Sequence, residues 1–520
     1  MRSWFRKKRE SRDENRETGK SLSTVDSRFP PHASRLTPHA SRLTLHEINS
    51  QNKHMNKTRR NFIKNAAVAG AGFFIVPRHV LGRGYVAPSD KLNIAGIGAG
   101  GKGESDLTGF AASPKANIVA LCDVDDRQAV KSRKTFPKAK YYKDFREMLD
   151  KEGKNIDACS ISTPDHTHAV ATIAAMQLGK HVYTQKPLTH DIYEARRLTE
   201  AAKQYKVVTQ MGNQGSSGEG VRKMMEWYKA GLIGDATEIH CWTNRPVWPQ
   251  GFGKPKTKDD VPKELDWDLW LGPNEFEEYH KEYVPFNWRG FWTFGTGALG
   301  DMACHIIDPA FKTVGLTYPT SVECSVANLY EQMWTPSYHP ESCPAASSLK
   351  LDFPEVDSKP AVKLYWMDGG LLPERPAELG PDEPMGDDGG GAIIIGTKGK
   401  MMCSTYGENP TLLPSSKTKE INVPQTLKRV PEGHYVQWVN GCIAGYGKNE
   451  LSSSFEYAGP LTETILMGNL ALRVFQLKDA SGKFSGRKKL LWDAKNMKIT
   501  NYDEANQFVK REYRNGWKSL

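Results

Sequence analysis

Asp301 and His305 stand four residues apart in Gly295-Thr-Gly-Ala-Leu-Gly-Asp301-Met-Ala-Cys-His305. If the glycines open a helix, the carboxylate and the imidazole occupy i and i+4 and project from one face. That layout serves acid–base chemistry, because an imidazole titrates near neutrality and a carboxylate one turn away can orient it. The plainer alternative is an acid at a helix start beside a histidine satisfied by the core. A second constellation is Gly96, Gly98 and Gly101, spaced G-x-G-x-x-G, with Asp123 standing 22 residues after Gly101. Glycines so placed let a backbone approach a pyrophosphate at a helix N-terminus, and an acid at the tip of the next strand accepts ribose hydroxyls. Such an acid repels a 2′-phosphate, so NAD is favoured over NADP. The plainer alternative is a tight turn without a ligand and a solvated loop acid. His166 and His168, at i and i+2, have no third residue at a metal-site spacing, and no metal is expected. Eight cysteines without a C-x-x-C pair argue against a zinc ribbon or a dense disulfide framework.

Elements that could position these residues follow from the hydrophobic pattern. The first glycines sit between a β-type run from Leu92 and a helical segment ending at Ala112, and Asp123 ends the apolar run Asn117-Ile-Val-Ala-Leu-Cys. Strands and helices then alternate: Ile156 to Ser162, a helix over 167–179, His181-Val-Tyr-Thr, a helix over 190–205, and Val207-Val-Thr-Gln-Met. Such alternation predicts a parallel, doubly wound α/β sheet of Rossmann type with right-handed crossovers, and nucleotides bind at the carboxyl ends of its strands. Those ends carry Thr163-Pro164-Asp-His-Thr-His168, Gln185-Lys186-Pro187 and Met211-Gly-Asn-Gln214. Beyond them come a helix over 217–230, the strand Ala236 to Thr243, and a long aromatic segment from Trp267 to Phe294 that reads mainly as core. Later strand-like pieces at 321–326, 361–366 and 392–396 alternate poorly with helices, which predicts an α+β domain with an open, mainly antiparallel sheet. The Pro/Gly/Asp-rich stretch 369–391 reads as a loop, 433–445 and 460–476 as helices, and the segment from Asn501 as one that packs back on the first domain.

In these motifs the sequence resembles the Gfo/Idh/MocA oxidoreductase family. The resemblance runs from Lys91 through at least Pro309. It rests on Gly96 to Gly101, on the T-P-x-x-x-H of Thr163, Pro164 and His168, on Lys186-Pro187 after a short strand, and on the Asp-x-x-x-His of Asp301 and His305. The family usually has Glu-Lys-Pro, and here Gln185 takes the first position. The resemblance implies proton transfer by Asp301 and His305, and Lys186 in contact with both the nicotinamide region and a substrate hydroxyl. It also implies that His168 lies near the nicotinamide or substrate. The expected activity is NAD-dependent oxidation of a hydroxyl on a sugar, glycoside or cyclitol. Glycoside hydrolysis through transient oxidation by bound NAD is one alternative, and a cofactor- or sugar-binding protein without turnover is another.

Composition narrows the classes further. A net charge of +11 suggests a polyanion partner until it is divided along the chain: residues 1–64 hold 16 basic and 6 acidic side chains, while residues 85–520 hold 53 and 54. Nucleic-acid binding is therefore not expected. Thr58-Arg-Arg-Asn-Phe-Ile-Lys64, followed by the small and apolar run to Pro77, resembles a twin-arginine export signal. The expected divisions are thus 1–54, a disordered or mis-assigned extension; 55–84, the signal, starting at Met55; 85–215, the NAD-binding domain; and 216–520, the substrate and oligomerisation domain. The expected location is the periplasm or another exported site, with tightly held NAD. The expected partners are a small carbohydrate or cyclitol, the twin-arginine translocase and further copies of the chain.

Overall fold

The computed structural model describes residues 90–514, 516 and 517. The twin-arginine segment and the extension before it lie outside the described residues.

The first half is built on six parallel strands, β1 (Leu92–Ile97), β2 (Ala116–Cys122), β3 (Lys140–Tyr142), β4 (Ala158–Ile161), β5 (His181–Thr184) and β6 (Thr209–Met211), in the order β3-β2-β1-β4-β5-β6. That order reverses direction between β1 and β4, the crevice where such sheets bind nucleotides. The crossovers are α1 (Lys102–Ala111), α2 (Asp126–Thr135), α3 (Phe145–Glu152), α4 (Asp165–Gln177) and α5 (Ile192–Tyr205). The central strand β4 is buried throughout, as expected where helices cover both faces.

The second half follows α6 (Glu219–Lys229). Its strands are β7 (Ala236–Thr243), β8 (Ser321–Val326), the hairpin β9 (Tyr330–Gln332) and β10 (Thr335–Pro336), β11 (Ser347–Phe353), β12 (Val362–Met367), β13 (Gly390–Gly396), β14 (Lys400–Ser404), β15 (Thr411–Leu413), β16 (Leu490–Asp493) and β17 (Lys498–Ile499). Apart from the β9–β10 hairpin they form one nine-stranded sheet, β15-β14-β13-β7-β12-β11-β8-β16-β17, antiparallel except where β7 runs parallel to β12. In β11 every second residue is buried, the period-2 pattern of a sheet with one covered face. The helices of this half are α7 (Trp267–Leu271), α8 (Gly297–Val314), α9 (Gly433–Ala444) and α10 (Phe455–Phe475).

The division at residue 215 does not describe how the first sheet is covered. Helix α9, from far along the chain, joins α1 on one face: Trp438, Val439 and Cys442 share a core with Ile94, Phe110, Ala158 and Tyr183. On the opposite face α10 packs against α5, so closely that a Cβ at Gly459 would lie 1.9 Å from Thr199 Oγ1. The last described segment also returns to the first domain, where the Tyr193 amide donates to Val509 O (3.0 Å).

Candidate active site

The turn after β1 uses its glycines in a register different from the one read in the sequence. Gly98 has φ +79°, and a Cβ there would lie 2.6 Å from Ser162 O. A Cβ at Gly103 would lie 1.7 Å from Gly98 O, so Gly103 is the residue that lets α1 press onto the turn. The structural fingerprint is therefore Gly98-x-Gly100-x-x-Gly103. Gly96 lies inside β1 against Leu107 and does not face the cavity described below, whereas Gly98, Gly100 and Gly101 line it. Among the described residues no side chain caps the N-terminus of α1, which leaves backbone N–H groups for an anion, a fit to a pyrophosphate.

Asp123, at the tip of β2, accepts hydrogen bonds from the amides of Gly100 (2.9 Å) and Asp125 (3.0 Å). Burial pushes its carboxyl up to about 6 against the pull of those amides. Ribose hydroxyls donate best to the ionised carboxylate, so NAD affinity should fall as pH drops through about 6. Asp123→Ser should weaken NAD about 10- to 100-fold, the loss of a charge-assisted hydrogen bond, and shift preference toward NADP. Titration of both cofactors against both proteins at several pH values measures this, and wild-type NADP binding as tight as NAD binding would refute the assignment.

His168 and His166 serve the scaffold. The His168 ring nitrogens lie 2.8 Å from Pro187 O and 2.8 Å from Thr163 O, so this buried imidazole ties together the turns that carry Thr163-Pro164 and Lys186-Pro187. It does not line the cavity, which corrects its expected place beside the cofactor; Thr163 and Pro164 do line it. The His166 ring lies 2.8 Å from Trp270 O and 3.2 Å from Phe294 O, which anchors the aromatic segment.

Lys186 meets Asp301 across the two domains. Its Nζ donates to Asp301 Oδ1 and to Asp301 O, both at 2.7 Å. Helix α8 starts at Gly297, so Asp301 and His305 share a face one turn apart. Pro309 within α8 removes the hydrogen bond that would reach back to the His305 carbonyl. Burial would raise the Asp301 carboxyl, but Lys186 and Arg289 outweigh it and hold it at about 2. Burial, with Lys186 adding to it, pushes the His305 imidazole well below its ordinary value. His305 is thus neutral, not poised near neutrality as its residue type suggests, and its Nδ1 has no hydrogen-bond partner among the described residues. A Tyr406 ring in edge contact (4.6 Å) and in a left-handed backbone conformation (φ +64°) flanks it.

One cavity of about 720 Å³, large enough for an extended ligand, has Gly98, Gly100, Gly101 and Asp123 as well as Lys186, Asp301 and His305 in its walls. A second, more open cavity of about 940 Å³ shares Gln214 and Tyr406 with it. Sequence reading missed Arg245, Arg289, Gly100 and Tyr406, which also line the first cavity. Only Gly100 had a local signal, in the overlapping glycine register.

Gln185 has a specific partner. Its Nε2 donates to Asp106 Oδ2 (2.8 Å), and the same carboxylate accepts from Ser162, Tyr435 and Lys102. Gln185→Glu would set two carboxylates face to face in a buried site. It should destabilise the fold by about 1–3 kcal/mol, and adding Asp106→Asn should recover most of the loss. Thermal denaturation of the single and double variants tests this, and an additive double variant would refute the pairing.

Comparisons with known proteins agree with this geometry. Residues 92–213 match the GFO_IDH_MocA profile, an oxidoreductase family with an NAD-binding Rossmann fold, and residues 224–332 match the C-terminal alpha/beta domain of the same family. Levoglucosan dehydrogenase of Pseudarthrobacter phenanthrenivorans is 26% identical over 47% of this chain and 55% of its own length. A glycosyl hydrolase family 109 protein of Solibacter usitatus is 29% identical over 35% of this chain and 45% of its own. The chain spans about half the length of these relatives. The WlbA dehydrogenase of Bordetella pertussis, solved with NADH and UDP-GlcNAcA, superposes with a TM-score of 0.50 at 16% identity, covering 74% of this chain and 97% of that one. It shares the fold.

Proposed function

With residues 92–213 and 224–332 matching the two domain profiles of the Gfo/Idh/MocA oxidoreductase family, we propose that the chain is an NAD-dependent oxidoreductase acting on a CH–OH group of a sugar, glycoside or cyclitol. The observation that carries this reading is the single cavity joining the uncapped start of α1 and Asp123 to Lys186, Asp301 and His305. Hydroxyl oxidation needs a cofactor site, a base for the hydroxyl proton and a positive charge beside the oxygen, held together. A nicotinamide, when bound, supplies the hydride acceptor. Neutral His305 takes the hydroxyl proton. Lys186 donates a hydrogen bond to the oxygen as its charge develops, and Asp301 holds the ammonium in place through two contacts. Mixing the full-length, NAD-loaded protein with a panel of sugars and cyclitols should produce reduced nicotinamide absorbance with at least one of them. No reduction by any member would overturn the reading.

The hydrolase relative favours a second reading, in which NAD stays bound and is restored within each turnover. Release of nitrophenol from nitrophenyl glycosides without net reduced nicotinamide would establish it over the first. Mass spectrometry of ligand released by denaturation should find NAD, as tight retention requires. Export completes the proposal: replacing Arg59 and Arg60 with lysine should hold the protein in the cytoplasm, and cell fractionation showing unchanged export would refute a twin-arginine signal.

A further inference from the structure

The substrate end of the cavity holds more positive charge than its own acids neutralise. Lys186, Arg245 and Arg289 surround Asp301: the ammonium is 2.7 Å from Oδ1, Arg289 Nε is 3.5 Å from Oδ1, and Arg245 Nε is 3.9 Å from Oδ2. Only the lysine hydrogen-bonds the carboxylate; both guanidinium separations exceed hydrogen-bond length. His305 adds no charge, because it is neutral. Asp165, the other acid here, is buried and accepts from Thr296 Oγ1 (2.6 Å). Even with Asp165 ionised, three cations face two carboxylates. Lys102, at the glycine end, is already paired with Asp106.

The two guanidinium groups are held in place but poorly used. Among the described residues, Arg289 spends one side-chain hydrogen bond, on Phe286 O (3.2 Å), and Arg245 one, on Asn244 Oδ1. A guanidinium offers five donors, in a fork that matches planar or tetrahedral anionic oxygens. The Arg289 guanidinium lies 4.2 Å from the Trp288 ring centroid and 4.3 Å from that of Phe286, two cation–π contacts that restrain its position. Arg245 follows the end of β7, and its backbone carbonyl is pinned by the Gly369 amide (2.6 Å). Their side chains keep 28% and 22% exposure, and both residues line the cavity. Unfilled, preorganised donors and excess positive charge in a partly desolvated wall select an anion.

We propose that the substrate is an anionic sugar, whose carboxylate or sulfate group is bound by Arg245 and Arg289 while its carbinol faces Lys186 and His305. The inference rests on the oxidoreductase reading and adds the chemical class of the substrate. It is tested by calorimetric titration of the full-length, NAD-loaded protein with paired sugars: glucuronate against glucose, galacturonate against galactose, mannuronate against mannose, and the 6-sulfate of each hexose. At least one acidic sugar should bind about tenfold or more tightly than its neutral parent, the worth of a charge-assisted hydrogen bond. Preference for uronates or for sulfates identifies which anionic group the pair takes. In Arg245→Gln and in Arg289→Gln the ratio of acidic to neutral affinity should fall about tenfold, with NAD titration reporting that each variant is folded. Parity or absence of binding across every pair, or a preference that survives in both variants, overturns the inference. Reduction of bound NAD by neutral sugars alone would sink the anionic substrate and leave the oxidoreductase reading standing.

Discussion

Replacing Lys186 or His305 with alanine should lower kcat by about 10²–10⁴, the usual range for loss of a positioned acid–base group, while NAD affinity and thermal stability should change far less. The geometry gives the reason. Removing Lys186 deletes the ammonium that bonds Asp301, yet Arg289 and Arg245 remain beside that carboxylate, so no buried charge is stranded. Removing His305 deletes a side chain whose Nδ1 has no partner to lose among the described residues. The pH profile separates the two variants. Because burial and Lys186 push the imidazole well below its ordinary value, it stays a proton acceptor at neutral pH. Wild-type kcat should fall only as the pH drops well under the ordinary imidazole range, where protonation removes the acceptor lone pair. That acid limb should vanish in His305→Ala. Turnover within about twofold of wild type in both variants would refute the proton-transfer assignment and promote a binding role without catalysis.

The second large effect is on stability and lies far from the chemistry. Arg511, near the end of the chain, donates to Glu194 Oε1 (2.6 Å), Asn274 Oδ1 (2.6 Å) and His166 O (2.6 Å), and its Nε lies 3.6 Å from Asp191 Oδ2. Asp191 and Glu194 form the capping box of α5, and both are buried. Two acids at one buried helix start share this single guanidinium, and burial together with the neighbouring Glu194 still pushes the Asp191 carboxyl well above its ordinary value. The Arg511 side chain also reaches α4 and the aromatic segment. Arg511→Ala should cost about 3–5 kcal/mol, the usual penalty for removing one partner of a buried charge pair. Arg511→Lys should recover part of it, since an ammonium cannot span the same fork of acceptors. Denaturant unfolding of the full chain measures both, and a loss below about 1 kcal/mol for alanine, the scale of an exposed pair, would refute the clamp.

Local chemistry of the chain was legible without coordinates. Alternating apolar runs imply a parallel sheet because crossover helices must cover both its faces, and six parallel strands are found. The i, i+4 relation of Asp301 and His305 follows from helix geometry once glycines open the helix, and α8 begins at Gly297. Asp123 at the tip of β2 follows from strand length alone. Such features depend on backbone periods of 2 and 3.6 residues, and those act over a few neighbours.

Other features depend on which distant segments touch. Two overlapping glycine registers are present in Gly96-Ile-Gly-Ala-Gly-Gly-Lys-Gly103, and the close contact of Gly103 with Gly98 O distinguishes the one used. His168 carries a binding-site pattern, but its ring nitrogens lie against carbonyl oxygens of two separate turns, which became neighbours when β4 paired with β5. Lys186 and Asp301 are 115 positions apart, and Arg245 and Arg289 join them only because the second domain packs its helix α8 against the ends of the first sheet. The sequence by itself therefore determined the fold class, the carboxylate and imidazole one turn apart on one helix, and the acid at the tip of β2. The charge balance of the site, the neutrality of His305 and the helix α9 that completes the first domain were decided by tertiary structure, because burial and long-range Coulomb interactions depend on distances between residues that no local period links.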